Sequence, residues 1–133
     1  MDFIKLNGQN TPSPTLTVGG ISVFKELLPP SDQLHLVKEL RAVAAQAPVF
    51  SPKTKSGKPM SVRLTAAGDF GWFSDQRGYR YVEQHPSGVN WPEIPDAIMA
   101  IWRAVAGAVP DPECCLVNFY GDGARMGLHQ DRD

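Results

Sequence analysis

Residues 115–133 read CLVNFYGDGARMGLHQDRD. The run CCLVNFY, begun by Cys114, predicts a buried strand. GDGARMG predicts a glycine-rich turn, and LHQDRD the start of a further strand. Along a strand, residues i and i+2 point to the same face. His129 and Asp131 would then converge on one point, with Asp133 on the same face if the strand continues. Asn118 and Tyr120 would share a face of the strand before.

Outward from this stretch, the chain divides by pattern. Residues 1–20 hold Gly8, Pro12, Pro14, Gly19 and Gly20 among Thr and Ser, which predicts an extended arm with a short strand at TLTVGG. Pro29 and Pro30 end the apolar run ISVFKELLPP. A helix follows, capped by Ser31 or Asp32, with Leu34, Val37, Leu40, Ala44 and Ala47 recurring at helical spacing until Pro48. Residues 48–95 carry short β-like runs broken by Gly, Pro, Asn and Asp. MSVRLT predicts a strand, and GWFS and YRYV a strand pair across DQRG. After Pro95, Asp96 is placed to cap a second helix, whose stripe of Ile98, Ile101, Trp102, Val105 and Val109 runs to Pro110 and predicts core.

Composition bounds the class. A chain of 133 residues, 42% hydrophobic and 20% charged, is long enough for one domain with a core and is not a disordered tract. Twelve Pro and twelve Gly argue against a helical bundle. No apolar run approaches a membrane span, and the start MDFIKLNGQN lacks the pattern of a secretory signal. A cytoplasmic protein with no membrane partner is expected. Cys114 and Cys115 are adjacent, which suits neither a disulfide nor a zinc site, and they read as small apolar residues in a strand. His35 and His85 read as surface residues. Net charge is −1, but residues 51–81 hold Lys53, Lys55, Lys58, Arg63, Arg77 and Arg80 against Asp69 and Asp75 only. A basic middle favours an anionic partner, although exposed lysines are more often simply solvated.

One imidazole and one carboxylate, joined by a distant second histidine, make the facial triad of non-haem Fe(II) oxygenases. A lone His-x-Asp is weak, and as an isolated tripeptide it reads better as an exposed turn. Its context changes that reading. The stretch 115–133 resembles the AlkB family of Fe(II)/2-oxoglutarate dioxygenases, where an Asn-x-Tyr strand leads through a glycine turn to Leu-His-x-Asp; Asn118, Tyr120, Leu128, His129 and Asp131 match in identity and spacing. MSVRLTAAGDFGWFSDQRGYRYV, with Met60, Trp72, Tyr79 and Tyr81, resembles the family's Met-Ser-Val-Arg, Gly-x-x-Gly-Trp and Gly-Tyr-x-Tyr pattern. WPEIP resembles the link into the helix before the core. The likeness covers most of residues 20–133.

The resemblance implies an α+β fold: an N-terminal arm and helix over 1–47, a β-rich nucleotide-recognition lid over 48–95, and over 96–133 a helix and the first strands of an incomplete double-stranded β-helix, or jelly roll. It implies an iron-dependent dioxygenase that removes methyl groups from alkylated bases, with release of formaldehyde. Fe(II) would be held by His129 and Asp131. Asn118, Phe119 and Tyr120 would contact 2-oxoglutarate, and O2 would be the second co-substrate. Trp72, Tyr79, Arg80, Tyr81 and Asp133 would meet the substrate base. Aromatic faces suit that role, because stacking contributes about 1–3 kcal/mol per base and a cationic methylated base gains cation–π attraction besides. Single-stranded DNA carrying 1-methyladenine or 3-methylcytosine is the expected substrate, with double-stranded DNA and RNA as further partners. A methyl group on the Watson–Crick edge disrupts pairing, so extrusion costs less there. A monomer is expected for the full-length parent.

The family site also needs a second metal-binding histidine far downstream of His-x-Asp and two arginines later still, and the sequence given stops at Asp133, before those positions. The chain as written is therefore expected to be the N-terminal piece of an enzyme, inactive alone. Two alternatives are a non-catalytic single-stranded nucleic-acid-binding fragment and a related dioxygenase acting on RNA.

Overall fold

Gly19 and Gly20 both adopt positive φ, 54° and 81°. Consecutive positive-φ residues form the two-residue turn whose twist matches a β-hairpin. They join strand β1 (Leu16–Val18) to strand β2 (Ile21–Val23) in antiparallel register, Leu16 opposite Val23. The single short strand expected at TLTVGG is thus half of a hairpin whose second strand is ISV. In the computed structural model residues 12–131 are described, so the arm expected at 1–20 falls largely outside them.

Helix α1 spans Pro30–Gln46. Pro30 is its first residue, where a missing N–H costs nothing, and the Pro29 carbonyl accepts from Asp32 and Gln33. Asp32 lies in the first turn, not at the cap, and its charge there complements the helix dipole. The expected apolar stripe is only partly covered: Leu34 and Val37 are exposed, whereas Ala47 is buried, and the buried residue within the helix is Val43, outside the stripe. Helix α2 spans Asp96–Val105. Its N-cap is Pro95, which makes no side-chain cap bond, so Asp96 opens the helix instead of capping it. Val109, expected in the stripe, lies beyond the helix end. Trp102 Nε1 donates to the Pro110 carbonyl at 3.1 Å, and the Arg103 guanidinium grips Asp111 at 2.7 and 3.1 Å.

The chain divides into two compact units, one of residues 12–42 with 94–112, the other of 43–93 with 113–131. The second unit holds two antiparallel strand pairs. Strand β3 (Arg63–Gly68) pairs with β6 (Cys114–Phe119), with Leu64 opposite Asn118 and Ala66 opposite Leu116. Strand β4 (Gly71–Asp75) pairs with β5 (Gly78–Val82) across a two-residue turn, with Trp72 opposite Tyr81. Mixed helices and antiparallel pairs make the chain α+β. Neither Cys114 nor Cys115 forms a disulfide, and burial pushes the Cys115 thiol up. No described helix is long and apolar enough to cross a membrane.

The core of this second unit gathers Ala47, Ala66 and Trp91, with Phe50, Val82 and Cys114 against them. Trp91 is satisfied there by donating its indole N–H to the Val82 carbonyl at 2.9 Å. Burying a large apolar side chain contributes about 1.5–3 kcal/mol. Gly71 is what admits the ring, since a Cβ at this position would overlap Trp91 Cε2 and Cζ2. Gly71→Ala is therefore expected to destabilise the fold by at least about 1–3 kcal/mol, the usual cost of overpacking. Denaturant unfolding measures this, and an unchanged midpoint would count against the close approach.

His85 belongs to this core and not to the surface. It is 6% exposed and lies edge-on to both Phe50 and Trp91. Its Nδ1 accepts from the Ser87 amide at 3.0 Å, so Nε2 carries the proton and donates to the Pro48 carbonyl at 2.7 Å. A ring with both nitrogens occupied by protein is structural. The reading of His85 as a surface residue fails because its partner lies 37 residues away in sequence.

Candidate active site

Alternation along β4 and β5 sorts the aromatic residues. Trp72 pairs with Tyr81 and Ser74 with Tyr79, so Trp72, Tyr79 and Tyr81 occupy one face of the hairpin. Trp72 and Tyr79 stack with centroids 6.3 Å apart and planes 20° from parallel. Phe73 and Arg80 form a pair on the opposite face. There the Arg80 guanidinium lies 5.0 Å from the Phe73 centroid and grips Asp75 through two bonds of 2.9 and 3.2 Å. The hydrogen bond from Arg80, followed by that from the Arg77 amide, holds the Asp75 carboxyl at about 2. Arg80 is thus committed to bracing the hairpin and does not join the aromatic face. The hairpin is also tied to the basic segment before it. The Lys53 amide donates to the Ser74 carbonyl at 3.0 Å, and the Ser74 hydroxyl donates back to the Lys53 carbonyl at 2.8 Å.

The three aromatic residues line a cleft of about 850 Å³. Leu64, Leu116 and Asn118 supply part of its wall from one face of the β3–β6 pair. Asn118 Oδ1 is buried and has no hydrogen-bond partner among the described residues. Leaving a buried amide unsatisfied costs about 1–3 kcal/mol. Because the amide oxygen and nitrogen exchange by a flip, this end of Asn118 can present either an acceptor or a donor to a ligand. Phe119 pairs with Arg63 and points to the other face of the sheet. Tyr120 has left β6; it is exposed, outside the cleft lining, with its hydroxyl 3.7 Å from Met126 Sδ. Asn118 and Tyr120 therefore do not act from one strand face.

Arg125, Met126, Leu128, His129 and Asp131 complete the cleft. Residues 120–131 form no strand, contrary to the expectation for LHQDRD. His129 and Asp131 converge all the same, with Nε2 and Oδ1 3.2 Å apart. The cause is local. His129 Nδ1 lies 2.8 Å from the Gly127 carbonyl, which can only accept, so the proton of a neutral ring sits on Nδ1. The lone pair on Nε2 then faces a carboxylate oxygen, a repulsive arrangement unless a proton or a cation lies between them. Two neighbouring ligands at metal–N and metal–O distances of about 2.1 Å stand about 3 Å apart. A backbone carbonyl on the second ring nitrogen is also how metal-bound histidines are oriented. The pair fits a metal ion as two of its ligands. Among the described residues no group of three His, Cys, Asp or Glu is gathered for one ion. Asp133 lies outside the described residues.

Sequence reasoning missed Ser61 and Arg125, both lining the cleft. Ser61 carries no sequence signal of its own. Arg125 stands in a glycine-rich stretch that reads as a turn, although a lone cation between an aromatic run and His-x-Asp was a visible hint.

Comparison with known proteins accords with this geometry. The family model of the 2OG-Fe(II) oxygenase superfamily matches residues 20–133. An alpha-ketoglutarate-dependent dioxygenase AlkB homolog of Caulobacter vibrioides is 50% identical over 121 residues, 90% of this chain and 55% of that protein. Alpha-ketoglutarate-dependent dioxygenase AlkB of Escherichia coli is 36% identical over 104 residues, 74% of this chain and 48% of that protein. The DNA N(6)-methyladenine demethylase ALKBH1D of Arabidopsis thaliana is 28% identical over 134 residues, 86% of this chain and 29% of that protein. The chain spans about half the length of the bacterial relatives it matches. A family model matched over most of the sequence, and an AlkB homolog half identical along nine-tenths of it, place the chain in the 2OG-Fe(II) oxygenase superfamily as an AlkB-like member.

Proposed function

We propose that the protein carrying this chain is an Fe(II)- and 2-oxoglutarate-dependent dioxygenase that oxidatively removes methyl groups from bases of single-stranded DNA, with 1-methyladenine and 3-methylcytosine as substrates. One observation carries the reading: the His129 Nε2 and Asp131 Oδ1 pair shares a cleft with the stacked Trp72 and Tyr79. Iron would be held by His129, Asp131 and a third ligand that the described residues do not supply, and would provide for oxidation of the methyl carbon by O2 and 2-oxoglutarate, the methyl group leaving as formaldehyde.

The residues of this chain do the rest. Gly127 fixes the tautomer that leaves His129 Nε2 available. Asn118 offers its unsatisfied amide to the 2-oxoglutarate carboxylate, and Arg125 offers the cleft a cation. Trp72, Tyr79 and Tyr81 receive the unstacked base, and their aromatic bodies keep water from one side of it. Lys53, Lys55 and Lys58 are exposed beside the hairpin turn, where backbone phosphates would pass. Residues 48–95 act as the nucleotide lid, and β3 with β6 as first strands of a jelly roll. A monomer in the cytoplasm suits this work.

The test is a chimera in which this chain replaces the segment it matches in the Caulobacter relative. Folded and supplied with Fe(II) and 2-oxoglutarate, it should release formaldehyde from a single-stranded oligonucleotide carrying 1-methyladenine, and none from the unmethylated strand. The 133-residue polypeptide alone, with two ligands in the cleft, should release none. A folded, iron-loaded chimera without methyl-dependent release would sink the proposal. Release from methylated RNA alone would turn it to the RNA reading.

A further inference from the structure

Ser61 stands between Met60 and Val62, and all three line the cleft. Its hydroxyl accepts from the Arg125 amide at 3.1 Å and donates to the Arg125 carbonyl at 3.1 Å. A hydroxyl has one proton and two lone pairs, so both bonds form at once. They join residues 64 apart in sequence. One side chain taking both backbone groups of one residue fixes the peptide planes on either side of Arg125. The segment so held has no helix or strand to order it, and it goes on to carry His129 and Asp131. On the near side, Met60 and Val62 belong to the wall that also includes Trp72 and Tyr81.

We propose that Ser61 is a positioning residue that holds the metal-ligand loop against the base-binding wall, so that the ligands and the base are presented to each other at a set separation. This rests on the reading of His129 and Asp131 as metal ligands. Ser61 touches no reacting group; it acts through the Arg125 backbone. Its own side chain lies at the surface, so substituting it leaves the core intact.

The experiment uses Mn(II) as a paramagnetic probe of this chain, read amide by amide by NMR. In the wild type, Mn(II) should broaden the amides of residues 128–131 and also those of Met60 and Val62 across the cleft. Ser61→Ala should keep the broadening at 128–131, reduce it several-fold at Met60 and Val62, and speed exchange of the Arg125 amide by about tenfold or more. Ser61→Thr, which keeps the hydroxyl, should restore both. Undiminished broadening at Met60 and Val62 in Ser61→Ala would overturn the positioning role, even if Arg125 exchanged faster. His129→Ala should remove the broadening on both sides. Broadening that survived His129→Ala would place Mn(II) elsewhere and overturn the metal reading, with the positioning role.

Discussion

His129→Ala is expected to lower formaldehyde release by the chimera by more than about a hundredfold while leaving its melting temperature nearly unchanged. Loss of an outer partner of a metal ligand already costs about 10–100-fold in affinity or activity, so loss of the ligand should exceed that. Stability should hold because the imidazole is half exposed, its side chain at 51%, and its bonds lie within its own loop. Asp131→Asn should show the same pattern through charge. The amide keeps an oxygen at the same place but no longer neutralises a divalent cation. His85→Ala supplies the contrast. That ring is buried between Phe50 and Trp91 with both nitrogens bonded, so its loss should destabilise the chain by about 2 kcal/mol or more without removing a metal ligand. Metal titration and thermal unfolding of the two variants should separate them. If His129→Ala binds metal as tightly as the wild type, the 3.2 Å pairing of His129 with Asp131 is an ion pair and nothing more.

These two histidines also show where sequence was legible and where it was not. His129 is singled out by its stretch of chain: His-x-Asp alone reads as an exposed turn, the resemblance of residues 115–133 to the AlkB family makes it a candidate ligand, and the structure adds the Gly127 carbonyl that orients the ring. That is local information, and it survived even though the expected strand did not form. His85 sits in a Pro-Ser-Gly turn that reads as surface, and its burial depends on Pro48 and Phe50, far off along the chain. Strands β4 to β6 were visible because they lie between glycine and proline breaks, and β3 in part, since the expected run MSVRLT begins three residues before Arg63 and stops short of Gly68. The β4–β5 pair is expected across the four residues DQRG; Asp75 and Gly78 in fact pair, and this two-residue turn fixes the register and with it the face the aromatic residues take. The same rule puts Arg80 on the face away from the aromatic residues, which its positive charge alone does not reveal. Ser61 was invisible for the reason that made His85 misleading: its meaning lies in a partner brought near only by the fold.

Trp72→Ala should weaken binding of single-stranded oligonucleotide by about 5- to 150-fold, the equivalent of the 1–3 kcal/mol that stacking one base contributes. The residue is suited to carry so large a share. Its ring is held in the cleft by its strand, by Tyr81 opposite and by Tyr79 stacked diagonally, so little freedom remains to be lost on binding. Trp72→Phe should recover much of the loss, because a smaller π-face still stacks. The salt dependence separates this from the charge contribution. Removing an aromatic face neutralises no phosphate, so the slope of log K against log salt should stay the same in Trp72→Ala. Substituting Lys53, Lys55 and Lys58 together should flatten the slope, by about 0.7 for each phosphate of a single strand that is no longer neutralised. Equal affinity in Trp72→Ala would show that the stacked pair packs the hairpin and receives no base. A changed slope in that variant would mean that the substitution had moved the basic segment, which Lys53 ties to the same strand through Ser74.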